Sequence, residues 1–158
     1  MIFLHENEII HRDIKSDNIF VNHNSSGEIA YLSIGDFDRA KIVANSTAKT
    51  TVGTTSWLAP EVLNSENVKE YTYSVDVWSL GMVMFEMMTN LKPYFNDSQM
   101  DIIKMITTGK PPSFPTKDFS SREKIIRPLL PLWSRCLEFE PSKRISLTEL
   151  KEQLLHLL

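Results

Sequence analysis

The chain has 158 residues, 42% of them hydrophobic, which is enough to bury one sizeable core and too little to suggest two domains. A formal net charge of -3, from 17 Lys and Arg against 20 Asp and Glu, supplies no electrostatic pull toward nucleic acid or an anionic membrane. One cysteine, Cys136, excludes an internal disulfide framework and a cysteine-built zinc site, so the expected compartment is reducing, cytoplasmic or nuclear.

Residues 1 to 10 read as the tail of a helix running into a loop, without the basic region, long apolar core or cleavage site of a secretory signal. Ile19-Phe20-Val21, a polar turn from Asn22 to Gly27, and Ile29 to Ile34 predict a short β-hairpin. Its open ends bring Asn18 beside Asp36, so that two oxygen donors converge although 18 positions separate them. Residues 38 to 61 are rich in Ser and Thr, have little apolar periodicity, and read as a long loop of the functional kind.

From Ser74 to Thr89 the apolar residues Val75, Val77, Trp78, Leu80, Met82, Val83, Phe85 and Met87 cover nearly the whole helical circumference, which predicts a central buried helix. Asp76, Ser79 and Glu86 interrupt it, and it falls short of the roughly 20 apolar residues of a membrane span. The methionines at 82, 84, 87 and 88 read as adaptable core packing, and Cys136 as a small buried hydrophobe. An amphipathic helix is predicted from Gln99 to about Thr108, stopped by Gly109 and followed by a loop with Pro111, Pro112 and Pro115. Pro128 is expected to open the next helix, with Pro131 still inside the first turn, where backbone N–H groups have no helical partner. Ser146-Leu-Thr-Glu149 predicts a capping box at the start of a last helix that runs through Leu150, Leu154, Leu155 and Leu158.

Four motifs follow one another in the chain. His11-Arg12-Asp13-Ile14-Lys15-Ser16-Asp17-Asn18 contains H-R-D, a lysine two residues after the aspartate and an asparagine five after it. Then come Asp36-Phe37-Asp38, the run from Gly53 to Ala59-Pro60-Glu61, and Asp76-Val77-Trp78-Ser79-Leu80-Gly81. In this order they resemble the catalytic loop, D-F-G, A-P-E and following helix of eukaryotic serine/threonine protein kinases. Trp133, Cys136 and Pro141-Ser-Lys-Arg144 extend the resemblance over nearly the whole chain, and KSDNIFV and TSWLAPE look most like its tyrosine-kinase-like branch.

The resemblance implies a mainly α fold: residues 1–158 as the large, C-terminal lobe of a kinase, a helical core with a short β-hairpin next to the catalytic loop. It puts the catalytic loop at 11–18 and the activation segment at 36–61, with the small N-terminal lobe absent. The five glycines, at 27, 35, 53, 81 and 109, cannot make the G-x-G-x-x-G loop that covers ATP phosphates, and the V-A-I-K lysine is not found. The 158-residue chain alone is therefore expected to turn over ATP negligibly.

Phosphoryl transfer passes through a loose transition state, so catalysis is mostly positioning and charge neutralisation. The resemblance implies that Asp13 accepts a hydrogen bond from a substrate Ser or Thr hydroxyl; an aspartate is a weak base near neutrality, so orienting the nucleophile is the larger task. Lys15 would face the γ-phosphate of ATP. Asn18 and Asp36 are hard oxygen donors suited to Mg2+. His11 would pack under Phe37 in a buried stack.

Arg12 would pair with a phosphate on the following loop, for which Ser46, Thr47, Thr50 and Thr51 are candidate acceptors and Arg39 or Lys41 helpers. Thr54 would contact the catalytic aspartate and lysine, and with Lys15 it argues against tyrosine specificity. Glu61 and Arg144 would form a buried ion pair, and Asp76 would hydrogen-bond the catalytic-loop backbone. The implied partners are ATP and a protein bearing Ser or Thr, with no nucleic acid and no membrane.

Asp38 departs from the pattern, because the family has glycine there for backbone freedom. Aspartate tolerates unusual backbone angles better than most residues, and its carboxylate adds negative charge beside Asp36. Two functions therefore compete: a serine/threonine kinase that transfers the γ-phosphate of ATP, and a catalytically inactive, pseudokinase-like scaffold that docks partners through the 99–108 helix and the activation loop.

Overall fold

The structure is a computed structural model that describes residues 1–42, 55–64, 72–115 and 122–157. Seven helices are described: α1 (Ile2–Glu6), α2 (Pro60–Leu63), α3 (Ser74–Thr89), α4 (Gln99–Thr107), α5 (Glu123–Ile126), α6 (Leu130–Cys136) and α7 (Leu147–Leu155). Four strands, β1 (Ile9–Ile10), β2 (Ile19–His23), β3 (Ile29–Ile34) and β4 (Lys41–Ile42), make two antiparallel pairs, β1 with β4 and β2 with β3. The described architecture is thus mainly helical with a small amount of sheet.

The centre is α3, as its all-round apolar pattern predicts, with Trp78, Met82 and Phe85 fully buried. Gly81 lets α6 come close: a Cβ there would lie 2.8 Å from Leu137 Cδ2 and 2.9 Å from Cys136 Cβ. Cys136 is buried, and desolvation pushes its thiol up to about 12, the behaviour of a small core hydrophobe. Met82, Met84 and Met88 pack inside, whereas Met87 is 74% exposed. It continues the Leu80 and Met84 stripe one turn further and lines an apolar groove with Ile125 and Leu129 instead of filling the core. A second apolar groove, of about 920 Å³, runs beside Phe3, Ile125 and Leu154, away from the polar motifs.

The helix ends follow local chemistry. Ser98 accepts a hydrogen bond from the Asp101 N–H at the start of α4. Past its end Gly109 takes φ +72°, with Lys110 N–H bonded to Met105 O and Gly109 N–H to Ile106 O, a Schellman stop. Ser146 caps α7 by accepting from Glu149 N–H, but only half of the predicted box forms, because the Glu149 carboxylate is drawn to Arg135 at 2.7 Å. The two prolines do not open one helix. α5 precedes Pro128, the chain tightens into a 3-10 turn over Arg127–Leu129, and Pro131 sits in the first turn of α6. Pro128 lacks the N–H that a continued α-helix would use, and its ring crowds the preceding turn.

The hairpin forms as its alternating residues predict, Ile19 pairing with Ile34 and Val21 with Leu32. Asn24 builds the turn by accepting from the N–H groups of Ser26 and Glu28, and Gly27 supplies φ +81°. The loop reading of residues 38 to 61 needs correction at both ends: Lys41 and Ile42 pair with Ile10 and Ile9 in a two-residue ladder, and a 3-10 turn over Thr55–Trp57 leads into α2, which starts at Pro60. Ser46, Thr47, Thr50, Thr51 and Thr54 lie outside the described residues.

Candidate active site

The site begins with a backbone that cannot satisfy itself. His11 and Arg12 belong to no regular element, and Arg12 holds φ +65°, an uncommon angle for a residue with a Cβ. Asp76, fully buried in the first turn of α3, supplies the missing acceptors: its Oδ2 takes the His11 N–H at 2.9 Å and its Oδ1 the Arg12 N–H at 2.8 Å. His5 Nε2 stands 3.0 Å from the same Oδ2. The Arg12 side chain donates to the carbonyl of Arg39.

His11 is buried, and its Nε2–H donates to Gly35 O at 3.1 Å, tying the loop to the residue before Asp36. Its ring lies 4.8 Å from that of Phe37, tilted by 59°. Phe37 is 46% exposed, so the predicted stack forms on one side only.

Asp13 is buried at the middle of this loop, and its Oδ2 accepts from Lys15 Nζ at 3.1 Å and Asn18 Nδ2 at 3.2 Å. Asn18 Nδ2 also donates to Asp13 O at 2.8 Å, which commits the amide nitrogen and leaves the amide oxygen as the ligand atom. On its other side, Asp13 Oδ1 is 3.6 Å from Arg39 Nη1.

The hairpin does what its spacing predicts. Ile19 pairs with Ile34, and Gly35 N–H reaches Asn18 O at 3.0 Å, so Asp36 follows directly on the register that fixes Asn18. Asp36 has φ +62°, is exposed, and its carboxylate makes no hydrogen bond or ion pair among the described residues. Asp38 sits in a turn closed by Ala40 N–H to Phe37 O at 2.9 Å, with φ outside the left-handed region. In this conformation the position does not require glycine.

One amide oxygen with its nitrogen tied down and one open carboxylate fit Mg2+, which takes one or two protein ligands and completes its shell with phosphate and water. Among the described residues no group of three or more His, Cys, Asp or Glu side chains forms a metal cage.

Below the loop, Arg144 meets Glu61 in a two-pronged pair of 2.6 and 2.8 Å. Its remaining donors reach Glu138 O at 2.8 Å, Ser74 O at 3.0 Å and Phe139 O at 3.3 Å, and its guanidinium lies 5.0 Å over the Trp78 ring. The Arg144 side chain is 1% exposed and that of Glu61 24%.

Sequence reasoning overlooked Glu86 and Lys92. Glu86 Oε1 accepts from Ser16 Oγ at 2.8 Å and its Oε2 from Trp57 Nε1 at 3.0 Å, joining the 11–18 loop to the turn before α2. Lys92 Nζ stands 5.8 Å from the Trp57 ring centroid and 3.9 Å from Asp17. The signal was an acidic residue inside an apolar helix; nothing local points to Trp57.

The family whose model matches this chain is described as protein kinase domain, and the match covers residues 1–155. A Caenorhabditis elegans protein, serine/threonine-protein kinase max-2, is 36% identical over 149 residues, 94% of this chain and 21% of its own length. The Kinase and exchange factor for Rac B of Dictyostelium discoideum is 35% identical over 161 residues, 99% of this chain and 14% of its own length. Serine/threonine-protein kinase cds1 of Schizosaccharomyces pombe is 37% identical over 154 residues, 94% of this chain and 32% of its own length. The chain thus spans a third or less of each of these relatives. With Asp13, Lys15 and Asn18 gathered at one point and Asp36 next to them, and with nearly every residue inside the family match, the chain belongs to the protein kinase family.

Proposed function

We propose that this chain is the large lobe of a serine/threonine protein kinase, with residues 11–18 as catalytic loop and 36–61 as activation segment, and that it acts in the cytoplasm or nucleus. Its substrates are ATP and a protein carrying Ser or Thr. The observation that carries the reading is the convergence of Asp13, Lys15 and Asn18, with Asp36 beside them on the hairpin register.

Asp13 presents a carboxylate oxygen to the substrate hydroxyl, orients it, and takes its proton late in transfer. Lys15, anchored on Asp13 Oδ2, holds a compact positive charge where the transferred phosphoryl group develops negative charge. Asn18 Oδ1 and the Asp36 carboxylate would hold Mg2+, which when bound neutralises charge on the ATP phosphates. The test is phosphotransfer by the full-length protein and its Asp13→Asn variant. General acid–base groups contribute about 100- to 10,000-fold, so a fall of that size is expected. An Asp13→Asn protein that phosphorylates peptide as fast as wild type would refute the reading.

A further inference from the structure

Around Asp17 the fold assembles the parts of a seat for a cation. Glu86 fixes two sides of it at once: its Oε1 takes Ser16 Oγ at 2.8 Å, next to Asp17, and its Oε2 takes Trp57 Nε1 at 3.0 Å. Both oxygens are engaged, yet the carboxylate keeps its negative charge. The parts left for a cation are the face of the Trp57 ring and the Asp17 carboxylate, whose side chain is 60% exposed. An aromatic face beside a carboxylate attracts an ammonium, and a guanidinium better still, because it is planar enough to stack and forked enough to grip.

The occupant here is internal. Lys92 Nζ lies over Trp57, 5.8 Å from the ring centroid, and 3.9 Å from Asp17 Oδ2. The end of α3 delivers its backbone: Asn90 turns at φ +58°, Leu91 N–H bonds to Thr89 Oγ1 at 3.1 Å, and Pro93 is fully buried. Both Lys92 distances are at the long end for their kind, and its side chain stays 67% exposed, so the ammonium fills the seat loosely.

The seat is within reach of a peptide held at Asp13. Asp17 is four residues further along the chain, at most about 14 Å, a distance that an extended peptide also covers in about four residues. The 3-10 turn over Ser16–Asn18 shortens it, and Asn18 at the end of that turn is bonded to Asp13 itself. A peptide whose hydroxyl meets Asp13 can therefore bring a nearby side chain to Asp17 and Lys92.

We propose that Lys92 is a specificity-determining residue: it fills, from within the chain, the seat that a basic substrate side chain would take, so that the protein phosphorylates peptides without selecting Arg or Lys there. This rests on the kinase reading above. A substrate arginine has to displace the ammonium from Asp17 and Trp57 against its repulsion and gains little. An uncharged side chain leaves the internal pair intact.

The experiment is peptide phosphorylation by the full-length protein and its Lys92→Ala, Lys92→Arg and Asp13→Asn variants, with ATP and serine peptides in which each position near the acceptor is set in turn to Arg or Ala. The readout is the ratio of kcat/KM for Arg over Ala at each position, in which any general change of activity cancels. Wild type is expected to stay within about twofold of unity throughout, as a seat already filled implies. An exposed ion pair and a cation–π contact together support about a fivefold effect, so Lys92→Ala is expected to raise the ratio by about that factor at one position only. Lys92→Arg, which keeps the seat filled, retains the wild-type profile, and Asp17→Asn added to Lys92→Ala removes the gain. A ratio unchanged in Lys92→Ala, or raised equally at every position, overturns the proposal while an inactive Asp13→Asn protein leaves the kinase reading intact. An Asp13→Asn protein as active as wild type overturns both.

Discussion

Two aspartates border the loop of residues 11–18 in opposite states. Asp76, at the foot of α3, is fully buried and uses both oxygens on His11, Arg12 and His5. Asp36, at the mouth of the hairpin, is exposed and bonded to none of the described residues. A carboxylate saturated by its own backbone has no lone pair left for a ligand, and one that is open adds little to the fold. Structure and chemistry are thus divided between the two sides of one loop: α3 holds the loop's shape, and the hairpin turn keeps its donors open.

The sharpest test of that division is a pair of variants. Asp76→Ala orphans the buried His11 N–H and the half-buried Arg12 N–H, at about 1–3 kcal/mol each. For a domain of this size that lowers Tm by roughly 10 °C on a scale of about 2–4 °C per kcal/mol, and phosphotransfer is lost with the loop's geometry. Asp36→Ala is expected to shift Tm by no more than about 2 °C, as exposed substitutions do, and still to abolish phosphotransfer. Equal melting losses in the two variants would show that the hairpin turn is structural as well.

Arg144→Ala comes next. It leaves the Glu61 carboxylate without its partner and removes donors from three carbonyls. Breaking a buried pair costs about 3–5 kcal/mol, and the 24% exposure of Glu61 puts the expected loss near the lower end. A thermal melt of the purified domain reads it. An unchanged Tm would mean that water takes over the role of Arg144.

What could be read in advance follows the range of the signal. The pattern of α3, the hairpin and the Gly109 stop are local: each is written within about a dozen residues, and each forms as predicted. The β1–β4 ladder has only two residues per strand, so Lys41 and Ile42 carry no periodicity that could announce it. The bridge from Ser16 through Glu86 to Trp57 joins three distant points of the chain, and only folding brings them together. Local chemistry also competes with itself, as when Glu149 leaves the Ser146 cap for Arg135. At the site, the family resemblance named Asp13, Lys15, Asn18 and Asp36, but the sharing of Asp13 Oδ2 by Lys15 and Asn18 needed coordinates.

The smallest expected effect uses that diverted glutamate. Arg135–Glu149 is as short as Arg144–Glu61, 2.7 against 2.6 Å, but both its side chains are about two-fifths exposed, 42% and 41%. Distance alone would rank the pairs equal; solvent ranks them far apart. The hydrogen bond from Arg135 holds the Glu149 carboxyl below its ordinary value and raises the Arg135 guanidinium. A carboxylate lowered in the folded state contributes stability above the ordinary glutamate range and loses it as pH falls through the folded value. Arg135→Ala is therefore expected to melt slightly below wild type near neutral pH, with the gap closing in acid as Glu149 is protonated and narrowing in high salt. A gap that persists unchanged at about pH 2, below the usual carboxylate range, would show that Arg135 supports the fold through the packing of its stem and not through Glu149.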